Sequence, residues 1–165
     1  MASVRTAPYP VHDMAESPYQ LEFYKDEDGA SPALRWIKEE LSPTQRRAIG
    51  VAMHEVLAHE GIGVCESEFG KSIGEGLYEF RLRHDADEIL SRKSKIRRAA
   101  DRVSGRSEKI LLRVFFHPHG DKLILLLGGY DKGRFPSRKR QEKEIATARK
   151  RLTAWRHQQQ PGVNG

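Results

Sequence analysis

Tyr78, Phe80 and Leu82 alternate with Glu79, Arg81 and Arg83, and a period of two is the signature of a strand with one buried face. Two neighbouring segments extend this into a sheet. Lys109 to Phe116 carries Ile110, Leu111, Leu112, Val114, Phe115 and Phe116 around a single charge, Arg113. Lys122 to Leu127 is an unbroken apolar run, the pattern of an interior strand covered on both faces. His117, Pro118, His119, Gly120 and Asp121 lie between them and read as a hairpin loop. Near the start, Leu21 and Phe23 alternate with Gln20 and Glu22 in a further short strand, followed by a turn over Asp26 to Gly29.

The period changes to 3.6 elsewhere. Ser31 and Pro32 are a start signal, and Ala33, Leu34, Ile37 and Leu41 follow at helical spacing. Ser42, Pro43 and Gln45 repeat the signal as a capping box. Ile49, Ala52, Met53, Val56 and Leu57 then form one apolar stripe that Gly61 ends. Ser137 caps a last helix, whose Ile145, Ala148, Leu152 and Trp155 recur on one face to about Arg156. The order strand, helix, helix, three strands, helix predicts an α+β domain. It is a small antiparallel sheet flanked by an N-terminal helical hairpin and a C-terminal helix.

At 165 residues the chain is one domain's worth. Residues 1–18 read as a mobile arm, 19–156 as the folded domain and 157–165 as a frayed tail. Within the domain, 85–108 is a long connection that begins acidic (Asp85, Asp87, Glu88) and turns basic through Arg92, Lys93, Lys95, Arg97, Arg98, Arg102 and Arg106. Ile89, Ile96 and Val103 stand seven residues apart and permit a helix resting a narrow edge on the body. No apolar run approaches a membrane span, and the N-terminus has no apolar core of a signal peptide. With one cysteine, Cys65, the expectation is a cytoplasmic protein without disulfides.

Charge narrows the field of partners. Met1 to Phe80 carry 7 Lys and Arg against 14 Asp and Glu, whereas Arg81 to Gly165 carry 22 against 9. Such asymmetry points to nucleic-acid or membrane contact, with solvation of helix surfaces as the plain alternative. Arg113, alone in an apolar strand, needs either a carboxylate or an anionic ligand, and Glu79 and Asp131 are the candidate internal partners. Arg138, Lys139 and Arg140 fall in the first turn of the last helix, where cations oppose the helix dipole unless an anion joins them. Lys132 and Arg134 extend the same positive ground, and Tyr130 or Phe135 could stack on a base. There is no phosphate-binding glycine loop, no dinucleotide fingerprint and no nucleophile elbow. His117 and His119 lack a third ligand, so no metal and no cofactor are expected.

Gly76 to Arg83, Ile110 to Phe116, Leu125 to Lys132 and Glu144 to Arg149, in this order, resemble the RelE/ParE toxin superfamily, closest to its HigB-type, phage-derived branch. The resemblance spans residues 19–156 without the insert. It implies a RelE-like fold and the toxin of a type II toxin–antitoxin pair, a metal-independent endoribonuclease that cuts mRNA on the ribosome. A helix-turn-helix antitoxin would be its protein partner. On this resemblance family active-site positions carry over to Arg81, Arg83, Arg113, Lys132 and Arg134. Joined with the charge reading above, Arg81, Arg113, Lys132 and Tyr130 are the candidate catalytic residues, and Arg83, Arg134, Arg138, Lys139 and Arg140 the RNA-binding ones. Gly133 separates Lys132 from Arg134, and Glu79 stands where some members are basic. The alternatives are a toxin that poisons DNA gyrase without cleavage, and a nucleic-acid-binding module without toxicity.

Overall fold

The computed structural model describes residues 18–90 and 108–159. The expected arm up to residue 17, the insert over 91–107 with Ile96 and Val103, and residues 160–165 lie outside the described residues. Five strands form one sheet: β1 (Gln20–Phe23), β2 (Gly70–Gly74), β3 (Leu77–Asp85), β4 (Lys109–His119) and β5 (Leu123–Asp131), in the order β1-β5-β4-β3-β2. The helices are α1 (Pro32–Glu40), α2 (Pro43–Ala52), the short α3 (Ala86–Leu90) and α4 (Arg138–Gln158). After α2 the chain continues through a π turn, Met53–Leu57, a last α turn, Ala58–Glu60, and a 3₁₀ stretch, Gly61–Glu66.

The architecture is α+β, but the sheet is mixed rather than antiparallel. β1 runs parallel to β5, Gln20 beside Leu123 and Phe23 beside Leu126, while the other pairings are antiparallel. Alternation in a single short strand sets which side chains are buried and carries no information about the direction of its neighbour. β2 is a strand the hydrophobic pattern did not announce, because Gly70, Lys71, Ser72, Ile73 and Gly74 contain one large apolar residue. It joins β3 through Glu75 and Gly76, both at positive φ (57° and 85°), a two-residue turn whose twist matches the strands.

Each face of the sheet has its own core. On one, Trp36, Ile37, Ile49, Leu57 and Ile89 from the helices pack on Phe80, Leu82, Ile110, Leu112, Val114, Phe116, Ile124 and Leu126. On the other, Ala148, Leu152 and Trp155 of α4 pack on Leu77, Phe115, Leu125, Leu127 and Tyr130. The apolar run in β5 is therefore covered on both faces, Ile124 and Leu126 on one and Leu125 and Leu127 on the other. Burying one such side chain contributes roughly 1.5–3 kcal/mol.

The helix starts divide. Ser42 and Gln45 exchange both capping-box bonds (Gln45 N to Ser42 Oγ 3.1 Å, Ser42 N to Gln45 Oε1 2.9 Å). Ser31 precedes α1, but its hydroxyl makes no capping bond. Arg46 fastens α2 to the end of α1 by donating to the carbonyls of Ile37, Lys38 and Leu41. α4 is held to the sheet by guanidinium donors: Arg149 to the carbonyls of Ile73 and Gly74, and Arg151 to that of Leu127. The ends of the insert stand together, with Ala86 N bonded to Glu108 O and Asp85 paired with Lys109.

Candidate active site and nucleic-acid interface

β3 and β4 pair so that Glu79 faces Phe115, Arg81 faces Arg113 and Arg83 faces Leu111. Directly opposed residues share a face, and this is the face that α4 covers. Sheet register alone thus brings Arg81 and Arg113 together and puts Glu79 one step along. Arg113 is also opposite Tyr130 of β5. Two guanidiniums, one carboxylate and one phenol meet beneath the N-terminal part of α4.

Glu79 serves both arginines. Its Oε1 lies 3.5 Å from Arg81 Nε and its Oε2 3.7 Å from Arg113 Nε, and Gln141 of α4 donates to Oε2 at 3.4 Å. Of the two candidate partners for Arg113, it is Glu79 that pairs; Asp131 instead accepts from Gln45 Nε2 and from the backbone N–H of Arg134. One carboxylate against two guanidiniums leaves one net positive charge. The packing is loose: Glu79 Oε1, Arg81 Nε, Arg113 Nε and Tyr130 Oη are buried without a hydrogen-bond partner among the described residues. Burial pulls the Arg113 pKa down, Glu79 opposes that and Arg81 adds to it, yet the guanidinium remains a cation.

The candidate residues separate by access. The Glu79 and Arg113 side chains are 0% and 2% exposed, whereas Arg81 keeps 26% and can meet a ligand. Tyr130 is closed off, stacked on Phe115, and burial raises its pKa, so it stands neither as a base-stacking surface nor as a ready proton carrier. Arg83 is exposed at the end of the same face, opposite Leu111. Lys132 reaches that place from the other side, its backbone N–H bonded to Leu111 O at 3.0 Å. Arg83 and Lys132 therefore bracket Leu111 at one end of the sheet.

The loop into α4 adds the remaining cations. Ser137 caps the helix by accepting from Arg140 N. Arg140 is committed internally, to Glu144 at 2.7 Å and over the Phe135 ring at 4.0 Å. Arg138 is exposed and pairs loosely with Glu142, and Lys139 and Arg134 are exposed without an ion pair among the described residues. Arg134 lies 5.1 Å from the Phe135 centroid, so Phe135, not Tyr130, is the half-exposed aromatic of the surface. Glu142 and Glu144, one helical turn on, ease the unfavourable placement of cations at this helix end.

Other polar groups lie elsewhere. His117 and His119, inside β4 rather than in a loop, pack against Trp155 at the far end of the sheet. No group of three or more potential metal ligands occurs among the described residues, and none of their helices is long and apolar enough to cross a membrane. Burial raises the pKa of the half-buried Cys65 thiol, which disfavours the reactive thiolate. Compared with protein-family models and with curated protein sequences, the chain matches none.

Proposed function

We propose that this protein is an RNA-directed toxin of the RelE/ParE type, acting in the cytoplasm as an endoribonuclease on mRNA at the ribosome and restrained by a helix-turn-helix antitoxin. The observation that carries the reading is the net positive pair Arg81 and Arg113 set on one sheet face, with Arg83 and Lys132 at its open end. In the reaction the ribose 2′-oxygen loses its proton and bonds to the adjacent phosphorus, while the P–O5′ bond breaks and the 5′-oxygen gains a proton. The solvent-reachable Arg81 stabilises the negative charge gathering on the phosphorane, the largest lever such a site has. Arg113 acts through Glu79 rather than on the phosphate. Lys132 takes the proton-handling role that buried Tyr130 leaves open, and Arg83, Arg134, Arg138 and Lys139 hold the backbone on either side.

One observation favours a second reading. Arg113 and Tyr130 are both closed to solvent, which suits a surface that binds without cutting, as in a gyrase-poisoning toxin or a nucleic-acid-binding module. Induced expression separates the three. The expected result is growth arrest with cut transcripts, both abolished by Arg81→Ala in a variant that retains the wild-type circular dichroism spectrum. Arrest with intact mRNA and broken DNA would establish the gyrase reading, and unimpaired growth the binding module.

A further inference from the structure

Glu79 is a buried carboxylate with two cationic neighbours, and only one of them is reachable from outside. A fully buried acid is retained at a cost unless its partners repay the lost hydration, and here neither contact is a well-formed hydrogen bond. Two of the donors without acceptors, Arg81 Nε and Arg113 Nε, flank this same acid, and its charge also acts on the third, Tyr130 Oη. Arg81 therefore meets an incoming phosphate already partly neutralised, and the closed-off Arg113 takes the rest of the carboxylate's attraction.

Building on the RNA-directed reading, we infer that Glu79 is an internal counter-ion that competes with the RNA phosphate for Arg81, and that Arg113 is the positioning residue that shares Glu79 so that Arg81 keeps part of its charge. Gln141, donating to Glu79 from α4, holds the carboxylate in place between them. Affinity for RNA is thus set below what the cations alone would give. A role confined to holding the fold would leave only the general gain from removing an acid near a polyanion, which salt screens away. Direct competition for Arg81 gives a gain that salt leaves in place.

The test is fluorescence anisotropy of a labelled single-stranded oligoribonucleotide with the full chain. Glu79→Gln keeps the shape and the acceptor oxygen but removes the charge, and it should bind the RNA about threefold tighter or more. Because the acid is buried, this gain should persist at raised salt. Binding equal to or weaker than wild type would overturn the proposal. Where Glu79→Gln does not fold, the double variant Glu79→Gln, Arg113→Met keeps the cluster's net charge while freeing Arg81 from any carboxylate. It should again bind tighter than wild type, and equal or weaker binding would overturn the proposal. A wild-type protein that binds no RNA would defeat the functional reading itself, a result distinct from either variant's.

Discussion

Arg113 and His117, four residues apart on β4, show how one strand places a charge and a titrating ring in surroundings that each must be fitted to. Removing the Arg113 side chain leaves Glu79, which has no exposed surface, with one cation, Arg81, and the Gln141 amide. A fully stranded buried charge costs about 3–5 kcal/mol. Because Arg81 and Gln141 still face the acid, Arg113→Ala should lower the urea midpoint by less than that implies, whereas the double change with Glu79→Gln should recover part of the loss. Equal midpoints for the single and double variants would show that the pair is uncoupled. His117 Nδ1 lies 2.6 Å from the Gly76 carbonyl, an acceptor, so Nδ1 carries the proton and donates. Burial lowers the His117 pKa below its ordinary 6.5, with the Gly76 bond pulling the other way and Arg156 and His119 adding to the depression. The folded state thus favours the neutral ring. Its contribution is full above pH 6.5 and is lost as the pH falls through the lower folded value. Melting temperatures measured across that interval should fall more for wild type than for His117→Asn, which keeps a donor but cannot titrate; parallel curves would refute the assignment.

The elements differ in how plainly the sequence declares them. The α2 stripe, the capping box and the alternation in β3 are local patterns whose physical cause lies within a few residues, and they appear where the periodicity puts them. Ser42→Ala should remove about 1 kcal/mol through the lost bond to Gln45 N, read from the same urea curves. Gly128 and Gly129 look in sequence like the end of a strand, yet β5 runs through both to Asp131. Their cause is distant: a Cβ on Gly129 would overlap the Trp36 ring and come within 2.8 Å of Arg113 O. Gly129→Ala should therefore destabilise by about 1–3 kcal/mol, although alanine ordinarily suits a strand better than glycine. An unchanged midpoint would mean that α1 can withdraw from the sheet. β2 left only the turn glycines Gly74 and Gly76 as a sign, and the parallel pairing of β1 left none. At the candidate site, Arg113 declared its need for a partner because a lone charge in an apolar strand must be answered. The sharing of Glu79 and the burial of Tyr130 depend on the register of three strands and the seating of α4, which no local pattern encodes.

Across the described residues the charge division becomes a mixed surface on one side and a cluster of cations on the other. The helical elements and loops before β2 expose Glu27, Asp28, Glu39, Glu40, Glu60, Glu66 and Glu68 interspersed with Lys25, Arg35, Lys38, Arg46 and Arg47, while the end of the sheet where α4 begins gathers Arg83, Arg134, Arg138 and Lys139. Such a cluster of cations draws an approaching polyanion toward one end of the sheet. Binding to single-stranded RNA should then weaken with salt, with a logarithmic slope near −0.7 for each phosphate neutralised. Arg134→Gln and Lys139→Gln together should reduce that slope by about 1.4, because each removes one backbone contact at the open end of the site. Lys150→Gln removes an equal charge from an exposed position about three turns along α4 and should leave the slope nearly unchanged. The comparison separates a localised interface from diffuse attraction to a basic protein. If Lys150→Gln lowers the slope as much as a site variant does, the RNA is not held at the end of the sheet, and the arrangement of Arg81, Arg83 and Lys132 loses its functional meaning.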